Sequence, residues 1–280
     1  MVRALLLLPA LAMGVFGATC LAQERKPPLP PGRDPDGIAV ALISTGIDYT
    51  QPAVAARLAR DGEGELIGWD VEDHDNRPFD RSSGRAPANW GGDGTELARA
   101  LGLPGRRLVP VRIKPGEPES LGRAVAFIAQ TPARLVVVPM WSSRQSDWTA
   151  FAQAAARFSD LLFVAAAGDG ESDEEPVWPT GFGLANVLTV TSAPPATGAS
   201  GSPFAADGRR ADALVIAETP RNSRMAAILA ADAVAGCAAN LVASHKGEAL
   251  KSAVLAQAAT SGGGKPVIER CAHSGVSKRR

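Results

Sequence analysis

The chain has 280 residues, long enough for one sizeable α/β core without requiring a second domain. Its 29 Lys and Arg residues balance 29 Asp and Glu residues, so the formal net charge is zero. That balance leaves no electrostatic footprint for nucleic acid or for a membrane surface, and neither is expected as a partner.

The first segment reads as a signal peptide over residues 1–22. Arg3 supplies the positive end, Ala4 to Ala12 with Val15 and Phe16 the apolar stretch, and Cys20-Leu21-Ala22 the small residues before cleavage at Gln23. Polar residues follow too soon for a membrane span, and no later stretch is apolar enough to cross a bilayer. Acylation at Cys20 is the alternative, although Gly17-Ala18-Thr19 is a poor lipidation context. The mature chain is therefore expected to be exported, periplasmic or secreted. Residues 23–36 are a proline-rich linker, and the folded domain is expected over 37–272.

Gly37 to Ile43 is a short run of branched apolar residues, which suits a central parallel strand buried on both faces. A short helix is predicted over 53–60, an edge strand over 65–71 and a polar loop over 70–85. A helix over 95–103 has Asp93 or Thr95 at its cap. Strand 107–113, a helix over 120–130 capped by Ser120 or Glu119, and strand 135–139 follow. Then come helix 148–158, strand 161–167, strand 186–192 and a strand candidate over 212–216. Arg224 to Leu241 is a long alanine-rich helix suited to burial, and 246–259 is the last helix. Alternating strands and helices imply a three-layer, doubly wound, mostly parallel sheet. Residues 194–208, rich in Pro, Gly and Ser, are the weakest internal segment, and 273–280 form a basic tail ending in Lys278-Arg279-Arg280.

Cys237 and Cys271 remain after cleavage. In an oxidising compartment they either pair as one disulfide or stay as two buried thiols. His74, His245 and His273 are scattered without metal-ligand spacing, so no metal and no cofactor is expected. The acid-rich stretch from Asp70 to Asp80 has the oxygen ligands that calcium favours, but a solvated polar loop is the simpler reading.

Four segments carry a resemblance. Ser44-Thr45-Gly46-Ile47 ends the first strand. Gly92-Asp93-Gly94-Thr95-Glu96-Leu97-Ala98 opens the helix near 95. Ala165-Ala166-Ala167-Gly168-Asp169-Gly170 ends a later strand, with Trp178-Pro179 downstream. Asn222-Ser223-Arg224-Met225-Ala226-Ala227 opens the alanine-rich helix. In this order they resemble the aspartate, histidine, oxyanion and nucleophile motifs of subtilisin-like serine proteases. The last of those usually reads Gly-Thr-Ser-Met-Ala-x-Pro. Gly68-Trp69-Asp70 and the loop from Asp73 to Asp80 also resemble the family's intervening segment.

The resemblance places Ser44 where an aspartate orients the imidazole, Asp93 at the histidine, Asp169 at the oxyanion asparagine and Arg224 at the serine. It therefore implies the family's fold with none of its catalytic residues intact, a pseudoprotease and not an enzyme. A cleft that adds a peptide as a strand can outlast the triad, so an exported protein binding a peptide or protein partner is expected, with Trp141, Ser142 and Ser143 as contact residues. Trp141 and Trp148 supply either aromatic contact area or ordinary packing. Two alternatives stay open. One is a residual serine-type or acid-acting peptidase, similar to the sedolisins and using Ser223. The other is a regulatory or structural subunit of an active protease. Arg224 is further expected to bridge Asp93 and Asp169 as an ion cluster, the alternative being three solvated side chains.

Overall fold

A computed structural model describes residues 37–80, 92–101, 105–168, 176–193, 211–216, 223–260 and 265–269. The described strands are β1 (Ile38–Ser44), β2 (Trp69–Asp70), β3 (Arg106–Arg112), β4 (Leu135–Val138), β5 (Leu162–Ala166), β6 (Val187–Ala193), β7 (Ala213–Ile216), β8 (Ala259–Thr260) and β9 (Pro266–Ile268). They form one sheet in the order β2-β3-β1-β4-β5-β6-β7-β9-β8. Every pairing is parallel except the β8–β9 hairpin.

The helices are α1 (Pro52–Ala55), α2 (Gly94–Ala100), α3 (Pro118–Ile128), α4 (Thr149–Arg157), α5 (Ser223–Cys237), α6 (Ala239–Ser244) and α7 (Gly247–Gln257). Strand alternation sorts them into two outer layers. Val40 and Leu42 point into a core shared with α1, α2, α5, α6 and α7. Ala39, Ala41 and Ile43 point into the opposite core, shared with α3 and α4. Both faces of β1 are therefore dry, which is why its sequence is apolar without alternation. The expected three-layer, doubly wound, mostly parallel architecture is the one observed.

Boundaries differ where tertiary contacts overrule local pattern. The predicted strand over 65–71 contracts to Trp69–Asp70, because β2 pairs only with Val111 and Arg112 of β3. The predicted helix over 53–60 stops after one turn, and the main chain of Arg57 and Ala59 turns to hydrogen-bond Leu108 instead. Ser120 is no cap. Glu117 precedes α3, and the Ser120 hydroxyl donates back to the Glu117 carbonyl at 2.6 Å. The predicted helix over 224–241 is two helices that change direction at Ala238.

A glycine near the end of α5 has a packing reason. Helix interiors disfavour glycine by about 1 kcal/mol relative to alanine. A Cβ at Gly236 would lie 1.4 Å from Nη2 of Arg106, which reaches across from β3 to the helix. Gly236→Ala should therefore lower stability by about 1–3 kcal/mol despite its better helix propensity, as overpacking does. Thermal denaturation checks this, and a gain in melting temperature would refute it.

Candidate functional site

The strand order reverses between β1 and β4. From β1 the chain moves outward to β2 and β3 on one side, then crosses to β4 and continues on the other. In open parallel sheets such a switch point opens a crevice beyond the carboxyl ends of the strands. Three of the four motif segments converge there.

Ser44 closes β1 and is 1% exposed. Its hydroxyl accepts from the Gly46 N–H at 3.1 Å and donates to the Gly46 carbonyl at 3.3 Å, so it is tied within its own turn. The start of α2 packs directly on that turn. A Cβ at Gly94 would sit 2.2 Å from the Gly46 carbonyl oxygen and 3.0 Å from the Ser44 hydroxyl, so only glycine permits this approach.

Asp93 precedes α2, but its carboxylate does not cap the helix. It faces Arg224, the second residue of α5. Arg224 Nε donates to Asp93 Oδ2 at 2.9 Å, and Nη2 donates to Oδ1. This two-pronged match of a planar guanidinium to a carboxylate is the strong form of an ion pair. The Arg224 side chain is 3% exposed and that of Asp93 30%, so the arginine is the buried partner. Asp169 lies outside the described residues, as do Cys271 and the side chain of Cys237.

Asp48 is a turn residue. Its main-chain N–H donates to Thr95 Oγ1 at 2.8 Å, which ties the turn after β1 to α2. Hydrogen bonds from the Thr50 hydroxyl and the Gln51 amide hold its carboxyl below the usual carboxylate range.

Beyond β4 the chain continues through Met140 to Ser143. Ser142 is buried, and its N–H and C=O both pair with Trp178 across an antiparallel bridge, at 3.2 and 2.9 Å. Its hydroxyl donates to Asp147 Oδ2 at 3.0 Å and accepts from Trp148 Nε1 at 3.1 Å. Trp148 is fully buried and packs edge-on against Phe151, so packing is the role the structure gives it. Trp141 is half-buried and Ser143 exposed.

The acid-rich loop is organised by an arginine that sequence reasoning missed. Arg112, at the end of β3, reaches Asp70 at 2.6 Å, Glu72 at 2.5 Å and Asp73 at 3.2 Å. Asp70 Oδ1 in turn accepts the N–H groups of Glu72 and Asp73. Burial pushes the Arg112 guanidinium down, but the hydrogen bond it donates to Asp70 and the three negative charges outweigh it and raise its pKa. The legible signal was an arginine closing an apolar strand opposite a cluster of acids. A cavity of about 260 Å³ between α5, α7 and β9 lies away from the crevice and takes no part in it.

No protein-family profile and no curated protein matches the sequence. Solved structures do match. A cold-adapted subtilisin-like serine proteinase superposes with a TM-score of 0.55 at 16% identity, covering 86% of this chain and 92% of the other. A lanthipeptide protease gives 0.57 at 16% identity, covering 83% and 85%. The nisin leader peptidase of Lactococcus lactis gives 0.53 at 14% identity, covering 85% and 86%. The chain has the subtilisin-like fold. At these identities the likeness establishes architecture. It also corrects one expectation. The reading of the chain as a pseudoprotease, not an enzyme, rested on the residues at 44, 93, 169 and 224. The three structures named are proteases, and nothing in the described geometry demonstrates a loss of catalysis, so the non-enzyme reading is not supported.

Proposed function

We propose that this subtilisin-like chain takes an extended peptide segment of a protein partner across the crevice at the carboxyl ends of β1 and β4. The observation that carries the reading is the bridge between Ser142 and Trp178. It fixes the main chain at Ser142 by an isolated antiparallel bridge outside the main sheet. Ser142 directs its N–H and C=O to Trp178, and the residue that follows it, Ser143, is exposed. The exposed edge that begins at Ser143 suits main-chain pairing with an added strand, and the half-buried Trp141 ring supplies contact area. The signal-peptide reading of residues 1–22 supports an exported setting, periplasmic or secreted, for that partner.

The mature chain, residues 23 to 280, is titrated with a library of extended fluorescent peptides read by anisotropy. Saturable binding by a subset is expected, and a library without one saturable member overturns the reading. Ser143→Pro deletes a main-chain donor on the exposed edge and is expected to weaken binding about fivefold to tenfold, the value of one hydrogen bond. Its melting temperature should stay close to the parent's, because Ser143 is exposed. The same peptides, recovered after incubation from about pH 3 to 9 and weighed by mass spectrometry, show whether the crevice also hydrolyses what it binds.

A further inference from the structure

We infer that the buried Arg106–Asp232 pair is a positioning device that fixes α5 along its axis and so sets Arg224 and Asp93 at the crevice. The need arises from the helix itself. From Met225 to Ala235 its described side chains are buried on every side, so no apolar stripe fixes its rotation. Alanine at 226, 227, 230, 231, 233 and 235 gives it shallow ridges. Ridges seated in grooves set how one helix lies on its neighbours, and a smooth surface supplies little of that registry.

Among the described residues, two ion pairs break the smoothness. Arg224 meets Asp93 at the first turn. Asp232, 1% exposed, meets Arg106 Nε at 3.3 Å. Arg106 Nη2 also donates to the Asp232 main-chain carbonyl at 3.0 Å, so the guanidinium grips the helix backbone as well as a side chain. Gly236, one turn further on, supplies the space the guanidinium fills. The two contacts stand about 12 Å apart along the helix and about 80° apart around it. Together they define both its sliding position and its rotation. Buried ion pairs add little stability over apolar groups of similar volume, and registry is their best-attested use.

The test separates position from stability. Arginine Nε–H resonances are recorded for the mature chain, and that of Arg224 is assigned by its loss in Arg224→Lys. The double variant Arg106→Met/Asp232→Leu replaces the pair with apolar side chains of similar bulk. It is expected to melt within about 5 °C of the parent. Its Arg224 resonance should shift or broaden. Gly236→Ala, which keeps both charges and displaces the guanidinium, should move the same resonance and is the second variant should the first not fold. An unchanged Arg224 resonance in the folded variants overturns the inference. The affinity arm rests on the crevice being the peptide site, and there the double variant should bind about tenfold more weakly, the loss of roughly one well-formed contact. A parent that binds no peptide overturns the peptide reading alone, while the resonance still decides the role of Arg106.

Discussion

Arg224→Ser is expected to lower the melting temperature of the folded chain by about 5–10 °C. The guanidinium is almost wholly buried and both prongs engage Asp93. Removing one partner of a buried, hydrogen-bonded pair leaves the other charge uncompensated, typically at about 3–5 kcal/mol. Asp93 keeps 30% of its side chain exposed, and water takes up part of the orphaned charge. The expected loss is therefore about 2–3 kcal/mol, toward the low end for such pairs. The diagnostic result is the cycle with Asp93→Asn. The double variant is expected to lose less than the sum of the singles, and the difference is the coupling. Additive losses, or an Arg224→Ser protein that melts like the parent, would show that the two side chains do not act together.

Arg112→Met is expected to be costlier, at about 3–5 kcal/mol, because one cation there serves three carboxylates. The weight falls unevenly. Asp70 is 1% exposed and has no recourse to water, whereas Glu72 and Asp73 are about one-third exposed. Glu72→Gln should therefore change stability by less than about 1 kcal/mol, as surface ion pairs do. Chemical denaturation of the two variants side by side checks the prediction. Equal effects would mean that the loop is held by its turn geometry and not by the arginine.

Much of the sheet was readable in advance because burial on both faces writes itself as an unbroken apolar run. Val136, Val137 and Val138 could be little else than an interior strand, and Phe163 to Ala166 the same. What local pattern could not give was an element boundary settled by a partner distant in sequence. The length of β2 depends on how far Val111 and Arg112 run beside it. The break at Ala238 falls inside a stretch whose composition stays helical through Leu241, and it is set by where α6 must turn to pack. At the crevice, the motif order was enough to bring positions 93 and 224 together, since each motif marks a fixed end of an element. It gave no hint of Arg106 and Asp232, 126 positions apart and lying in no motif. A glycine near the end of an alanine-rich helix was the one visible trace of that contact.

That glycine and the arginine that fills its space constrain how this sequence can change. With Arg106 in place, a Cβ at 236 would sit 1.4 Å from a guanidinium nitrogen, so the end of the arginine side chain has to move. Arginine at 106 and a side chain at 236 thus exclude one another unless the guanidinium withdraws. Mutational paths between the two arrangements have a direction. Shortening Arg106 first, with Asp232 neutralised alongside it, frees position 236 to accept alanine and its gain in helix propensity. The reverse order passes through an overpacked intermediate that costs about 1–3 kcal/mol.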